Sequence, residues 1–137
     1  MIFTRSTGYA LLALVELASS KQAIDTTHLS EKIGISRAFL AKILQYLSKK
    51  DIVKSFKGVN GGFILNKEPS KIKIVDVFSA VEDKDLLVFE CSKDKKECPN
   101  EKGEVCKIWP FLNKLEIDIY EYLKKFTLED ILRIYNC

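Results

Sequence analysis

Apolar positions in the first half of the chain recur at steps of three and four, the interval of an amphipathic helix. From about Thr4 to Ser19 the stripe is Ala10, Leu11, Leu14, Val15 and Ala18. A polar break over residues 21–26 leads to Thr27, the expected N-cap of a short second helix of about Thr27 to Ile33, with Leu29 and Ile33 inward and Gly34 at its stop. In Gly34-Ile35-Ser36 a glycine able to take positive φ is followed by an apolar plug and a serine placed to cap a new helix. That order is the elbow of a helix-turn-helix. The third helix, Arg37 to about Lys49, buries Leu40, Ile43, Leu44 and Leu47 and leaves Arg37, Ala38, Ala41, Lys42 and Gln45 on its opposite face.

Past Asp51 the period shortens. Two strand-like runs, Ile52 to Lys57 and Phe63 to Lys67, flank Gly58-Val59-Asn60-Gly61-Gly62, whose Asn-Gly pair signals a tight turn. A hairpin directly behind a recognition helix is a wing. Ser55 and Phe56 are out of step with the alternation, which leaves the register of the hairpin open. Beyond Pro69-Ser70 a helix is expected at about Ile74 to Val81, then a charged loop, then a long helix of about Lys107 to Lys125. The apolar face of that last helix, Ile108, Leu112, Leu115, Ile119, Tyr122 and Phe126, is widened by Trp109, Phe111, Tyr120 and Leu123, and so broad a face needs a partner. A second subunit supplies one economically, with the first helix as an alternative or additional neighbour. Thr127 and Asp130 form an acidic variant of a capping box ahead of a terminal helix, Leu128 to Ile134. The fold class expected is mainly α with one β-hairpin: a winged helix-turn-helix head over residues 1–70, then over 71–137 a cysteine loop at about 90–107 and a dimerisation helix at about 107–126.

Composition changes this picture little: 47% hydrophobic and 30% charged residues suit a folded chain of 137 residues. The longest apolar stretch, Tyr9 to Val15, is far short of the ~20 residues that span a bilayer, and no cleavable leader is evident. A cytoplasmic protein without a membrane partner is expected, and with it reduced thiols. Charge is more informative. Residues 1–70 hold ten Lys/Arg against five Asp/Glu, whereas 71–137 hold twelve against fourteen. Between Lys32 and Lys67 eight basic residues face the single acid Asp51, as in a surface that meets phosphates; a solvated lysine-rich face would carry the same charge.

Double-stranded DNA is therefore the expected partner. A helix enters the major groove when its outer face is free of bulky apolar groups and offers donors to base edges and phosphates. Candidate contacts are Ser36, Arg37, Ala38, Phe39, Lys42 and Gln45 from the elbow and third helix, with Lys57, Gly58 and Asn60 from the wing. Ser36 and the start of the third helix suit a phosphate oxygen, and the wing glycines let backbone approach the minor groove closely.

Cys91, Cys98 and Cys106 lie in the stretch Glu90 to Lys107, in which ten of eighteen residues are charged. Free cysteines are ordinarily buried as small apolar residues, but this segment has almost nothing apolar to bury them with. Three thiolates on a polar loop suit an iron-sulfur cluster or zinc, either of which neutralises thiolate charge and offsets the entropy of ordering the loop. Intervals of six and seven residues lack the Cys-x-x-Cys knuckle of most zinc fingers, which favours the cluster. A metal-free thiol switch is the alternative regulator, and an iron-sulfur carrier without DNA binding is a rival of another class. His28 is read as a capping or surface residue and Cys137 as a bystander. The chain has no nucleotide-binding glycine motif and no His-carboxylate-nucleophile set, so neither an enzyme nor a small-molecule substrate is expected.

Taken together these motifs resemble the Rrf2 family of bacterial winged-helix regulators, in its cluster-binding IscR and NsrR type. Phe3-Thr4-Arg5-Ser6-Thr7-Gly8-Tyr9-Ala10-Leu11 is similar to the family's first-helix motif, and Gly34-Ile35-Ser36-Arg37-Ala38-Phe39-Leu40 to its elbow and recognition helix. Lys57-Gly58-Val59-Asn60-Gly61-Gly62-Phe63 is similar to its wing, and Trp109 with Thr127-Leu128-Glu129-Asp130-Ile131-Leu132 to its dimer helix and tail. The resemblance implies a homodimer on a partly palindromic operator, with a [2Fe-2S] or [4Fe-4S] cluster on Cys91, Cys98 and Cys106 beside the partner's head. Trp109 stands where some members place a histidine ligand and Gly8 where others carry an acidic one, so the resemblance assigns no fourth ligand. Ala41-Lys42 replaces a Glu-Gln pair common on the family's recognition helix, so the operator sequence is unassigned too.

Overall fold

The computed structural model describes residues 2–135, which places Cys137 outside the described residues. Six α-helices and one antiparallel hairpin follow in the order α1 (Arg5–Ala18), α2 (Thr26–Ile33), α3 (Arg37–Lys49), β1 (Val53–Phe56), β2 (Gly62–Leu65), α4 (Ile74–Glu82), α5 (Trp109–Leu123) and α6 (Leu128–Tyr135). The expected mainly α architecture with a winged helix-turn-helix is what forms.

Local chemistry sets most of the boundaries. Thr4 caps α1, its hydroxyl accepting from the Thr7 N–H, and Ser36 caps α3 by accepting from the Phe39 N–H at 3.2 Å. Gly34 ends α2 at φ +83°, where a residue with a Cβ would be strained, and so opens the elbow. The N-cap of α2 is Asp25 rather than the expected Thr27. Its carboxylate accepts from the His28 backbone N–H at 2.8 Å and meets His28 Nδ1 at 2.7 Å, two bonds that a threonine hydroxyl two residues later could not make. His28 is accordingly an exposed residue of the α2 cap. The start of α5 falls two residues later than expected; Pro110 in its first turn lacks an N–H that would have no partner there anyway. The Thr127 capping box forms, the Thr127 N–H donating to Asp130 at 2.8 Å.

The hairpin register, open in the sequence, pairs Val53 with Leu65, Lys54 with Ile64, Ser55 with Phe63 and Phe56 with Gly62. Its turn differs from the Asn-Gly reading. The Gly61 N–H donates to the Gly58 carbonyl at 3.0 Å, so Val59 and Asn60 are the central residues, and positive φ falls on Gly58 and Gly62. Nor is the polar break before α2 merely a loop. Ile24 pairs with Phe63 through N–H to carbonyl bonds of 3.1 and 2.9 Å, which tie the turn end of the wing to the start of α2. A Cβ on Gly62 would lie 2.5 Å from the Ile24 carbonyl, so only glycine allows that approach.

One hydrophobic core joins the ends of the chain. Leu14, Leu29, Leu40, Leu44 and Leu47 from the first three helices are fully buried with Val77 of α4 and Leu128 of α6. Backbone bonds from Ile74 N–H to Phe126 O and from Leu128 N–H to Ile72 O clamp α6 beside the start of α4. The core therefore runs across residue 70. By contrast α5 stands off it, and its broad apolar face is exposed at Ile108, Phe111 and Tyr122.

Candidate DNA-binding face and cysteine loop

The elbow aims the outer side of α3 away from the core. Arg37, Ala38, Ala41, Lys42 and Gln45 are exposed, while Leu40, Ile43, Leu44 and Leu47 are buried. The same side of α3 forms a shallow concavity with the wing, lined by Ala38, Ala41, Lys42, Gln45, Ser48, Ser55 and Phe63. Ser36 is exposed beside it, although its oxygen is occupied by the Phe39 N–H; its hydrogen remains available to an anion. Lys57, Gly58 and Asn60 are exposed on the wing. Phe39 is not brought to this face. It is half-buried with its ring edge-on to Tyr9 at 5.8 Å, so it supports α3 from behind.

Ion pairing distinguishes this surface from the rest of the molecule. All eight basic residues from Lys32 to Lys67 are exposed, and among the described residues only Lys32 has a salt bridge, to Glu16 at 3.5 Å. After residue 70 pairing is more frequent, five of twelve basic residues against one of eight: Lys93 pairs with Asp85, Lys95 with Glu104, Lys114 with Asp118, Lys124 with Glu121 and Arg133 with Asp130. Positive charge left uncompensated on one face is a field that an external polyanion can neutralise.

In the cysteine loop the sulfurs are carried by similar local structures. Cys98 follows a 3-10 turn at Lys95–Glu97 and Cys106 another at Gly103–Val105, with nearly equal backbone angles of φ −61°, ψ 122° and φ −71°, ψ 121°. The turns pack together, since a Cβ on Gly103 would collide with the Lys95 carbonyl, and Lys95 Nζ reaches Glu104 at 2.8 Å. Cys91 is buried and the other two are half-buried, all three as free thiols. Burial first, and then the neighbouring Cys98 and Cys106 sulfurs, push the Cys91 thiol above its ordinary range. Metal-free Cys91 is thereby kept protonated, and a metal centre would have to displace that proton. Among the described residues no three His, Cys, Asp or Glu side chains converge as ligands of a single metal ion.

Sequence reasoning did not find the groups that hold Cys91 in place. Trp109, which opens α5, donates its indole N–H to the Cys91 carbonyl at 2.8 Å, and Asn113 donates to the Ser92 carbonyl at 3.0 Å. Glu116 is buried and accepts from the Val88 N–H and the Ser92 hydroxyl, each at 2.6 Å. Helical steps of four and three from Trp109 would have found this polar stripe, but only opposite a known neighbour.

Fold and face together define a winged-helix DNA-binding regulator. The family described as Rrf2, "Iron-dependent Transcriptional regulator", matches residues 3–134, and the chain belongs to it. It is 31% identical over 135 residues to the HTH-type transcriptional regulator NsrR of Bacillus licheniformis, covering 96% of this chain and 92% of that protein. With the HTH-type transcriptional regulator IscR of Sodalis glossinidius it shares 28% identity over 134 residues, covering 96% and 79%. The solved structure of T. potens IscR superimposes with a TM-score of 0.74 at 24% identity, over 98% of this chain and 88% of that one, a likeness of fold. These relatives are named as regulators, a class apart from enzymes. Among the described residues no helix is long and apolar enough to cross a membrane.

Proposed function

We propose that the chain is a homodimeric repressor that binds a double-stranded operator through α3 and the wing and senses iron-sulfur status, redox state or nitric oxide through a cluster on Cys91, Cys98 and Cys106. The observation that carries the DNA half is the exposed run of basic residues without ion-pair partners, shared between α3 and the wing. Arg37, Lys42 and Gln45 offer donors to base edges and phosphates, and Lys57 and Asn60 extend the contact from the wing. Two heads are needed to read a palindrome, and the exposed apolar face of α5 suits a second copy.

The donor set fits a cluster better than a single ion. Three cysteine sulfurs lie on one loop, two of them on packed turns, and soft thiolate is the ligand type that iron-sulfur clusters take. Intervals of six and seven residues without a Cys-x-x-Cys knuckle favour the cluster over zinc. When bound, a cluster supplies a centre whose charge and integrity respond to oxidants and nitric oxide. The chain's own part is to present three sulfurs and to carry the resulting change of loop order to the paired heads. A coupling of roughly 3 kcal/mol would alter operator affinity about a hundredfold.

Anaerobic absorption spectra with iron and sulfide counts on the wild type and Cys98→Ala test the cluster. A brown wild type bleached by the substitution is expected. Colourless protein after reconstitution would instead favour a metal-free thiol switch built on the three free thiols of the loop. Operator gel shifts with cluster-bound and metal-free protein test the sensing, and equal affinities would remove it.

A further inference from the structure

Apart from the Lys124–Glu121 pair at its own C-terminal end, every hydrogen bond from an α5 side chain to another part of the described molecule ends on residues 88–92. The donors and acceptors on the helix are Trp109, Asn113 and Glu116, at steps of four and three, which places them on one stripe. The apolar face of Ile108, Leu112, Leu115, Ile119, Tyr122 and Phe126 lies on another side. One long helix thus meets the first cysteine of the loop along one edge and offers its open apolar face along the next.

Glu116 is the centre of the first edge. It is only 7% exposed, lies on an element with no ion pair to it, and keeps one oxygen on both the Val88 N–H and the Ser92 hydroxyl. The single Ser92 hydrogen faces two acceptors, the Phe89 carbonyl at 2.7 Å and Glu116 Oε2 at 2.6 Å, while the Phe89 N–H donates back to the Ser92 oxygen at 3.1 Å. The turn from Phe89 to Ser92 is closed on itself and then fastened to the helix, with Ser92 fully buried. A buried carboxylate is costly unless its bonds are satisfied, so its place here argues for a geometry that the bonds define.

We propose that Glu116 is a positioning residue: through Ser92 it holds Cys91 against α5, and this fastening is the route by which a change at the Cys91 sulfur reaches the helix. Trp109 and Asn113 complete it by gripping the two successive carbonyls, of Cys91 and of Ser92, that flank the Ser92 Cα. A displacement of Cys91 then cannot leave α5 unmoved, whereas Cys98 follows a turn whose contact with α5 is Lys95 over the Trp109 ring rather than a set of hydrogen bonds. The inference rests on the sensing role proposed above for the loop, but its first test does not.

That test uses the reduced, metal-free full chain. Iodoacetamide alkylation is mapped by peptide mass for Cys91 relative to Cys98, and emission is recorded from Trp109, the single tryptophan of the chain. In Ser92→Ala and Glu116→Gln the Cys91 to Cys98 rate ratio is expected to rise by about two- to tenfold, the range for one lost hydrogen bond, with a red shift of the Trp109 emission. A merely structural role would lower thermal stability and leave both readouts in place; an unchanged ratio and emission in the folded variants would overturn the assignment. Should Glu116→Gln fail to fold, Ser92→Ala decides alone. The second test compares operator affinity of reconstituted and metal-free protein. Both variants are expected to bind operator in the metal-free state like wild type but to lose most of the difference between states at equal iron content. A full difference retained would overturn the route while leaving the positioning role to the alkylation result. No difference in the wild type would strike at the sensing role itself.

Discussion

Replacing Lys57 by alanine probes the proposed DNA face at one atom. Lys57 is exposed on the wing and has no ion pair among the described residues, so its removal should leave the thermal midpoint unchanged. If it meets a phosphate, each head loses one contact and a dimer loses two. Each neutralised phosphate contributes about 0.9 to the slope of log affinity against log salt, so the variant's slope should be shallower by about 1.8. Over a fourfold rise in salt, from about 50 to about 200 mM, the wild type should therefore lose roughly twelvefold more affinity than the variant. Fluorescence anisotropy titrations on a labelled operator at several salt concentrations give both slopes. Lys114→Ala is the control, because Lys114 lies on α5 and is already paired with Asp118 at 2.8 Å. An unchanged slope for Lys57→Ala would move that residue off the backbone. An equal fall for Lys114→Ala would refute the premise that unpaired charge on the head, rather than total charge, sets the salt dependence.

Other substitutions test the frame that holds this face. Gly62→Ala puts a Cβ 2.5 Å from the Ile24 carbonyl at φ +144°, and should cost roughly 2–5 kcal/mol through backbone strain and two weakened hydrogen bonds; urea unfolding at wild-type stability would show that the turn end of the wing tolerates the shift. Leu128→Ala empties a fully buried position shared by α6 and the head, so a loss of about 2–5 kcal/mol in one cooperative transition is expected. A head that unfolds at its original midpoint while the tail melts early would contradict a common core. The His28–Asp25 pair predicts a pH signature. Bonding to Asp25 raises His28 above its ordinary 6.5, so its contribution is complete below that value and is lost as pH rises through the folded one. Bonding to His28 lowers Asp25 below its ordinary 3.8, so its contribution is complete above that value and is lost as pH falls through the folded one. The difference in thermal midpoint between wild type and His28→Gln should be largest between about pH 4 and about pH 6.5, and a difference independent of pH from 3 to 9 would remove the pair.

How far the chain could be read in advance depended on the range of the forces involved. The helices, the Gly34-Ile35-Ser36 elbow and the Thr127 capping box follow from spacing and backbone chemistry within a few residues, so they were legible without any neighbour. So was the concentration of basic residues, although a count cannot show which of them lack an acidic partner in space. Cysteines in a charged loop likewise stood out because their own segment offers almost nothing apolar, although packing against α5 buries Cys91 after all. Phe39, named as a candidate contact, is half-buried with its ring edge-on to Tyr9, because its place on α3 lies toward the first helix, which sequence proximity does not show.

The remaining features are long-range. Ile24 joins the hairpin through Phe63, thirty-nine residues on, and Leu128 completes a core begun by Leu14. The wing turn centres on Val59 and Asn60 because the register is set by that remote pairing at Phe63 and by the close approach at Gly62, which overrides the local preference of Asn60-Gly61. Glu116, within an amphipathic helix, reads as one more solvated charge; it is buried only because the chain from Val88 to Ser92 folds over it and supplies its hydrogen bonds. Spacing along a chain specifies which side chains share a face. What covers that face is decided by distant segments competing for burial and hydrogen bonds, and that competition is resolved only when the whole chain packs.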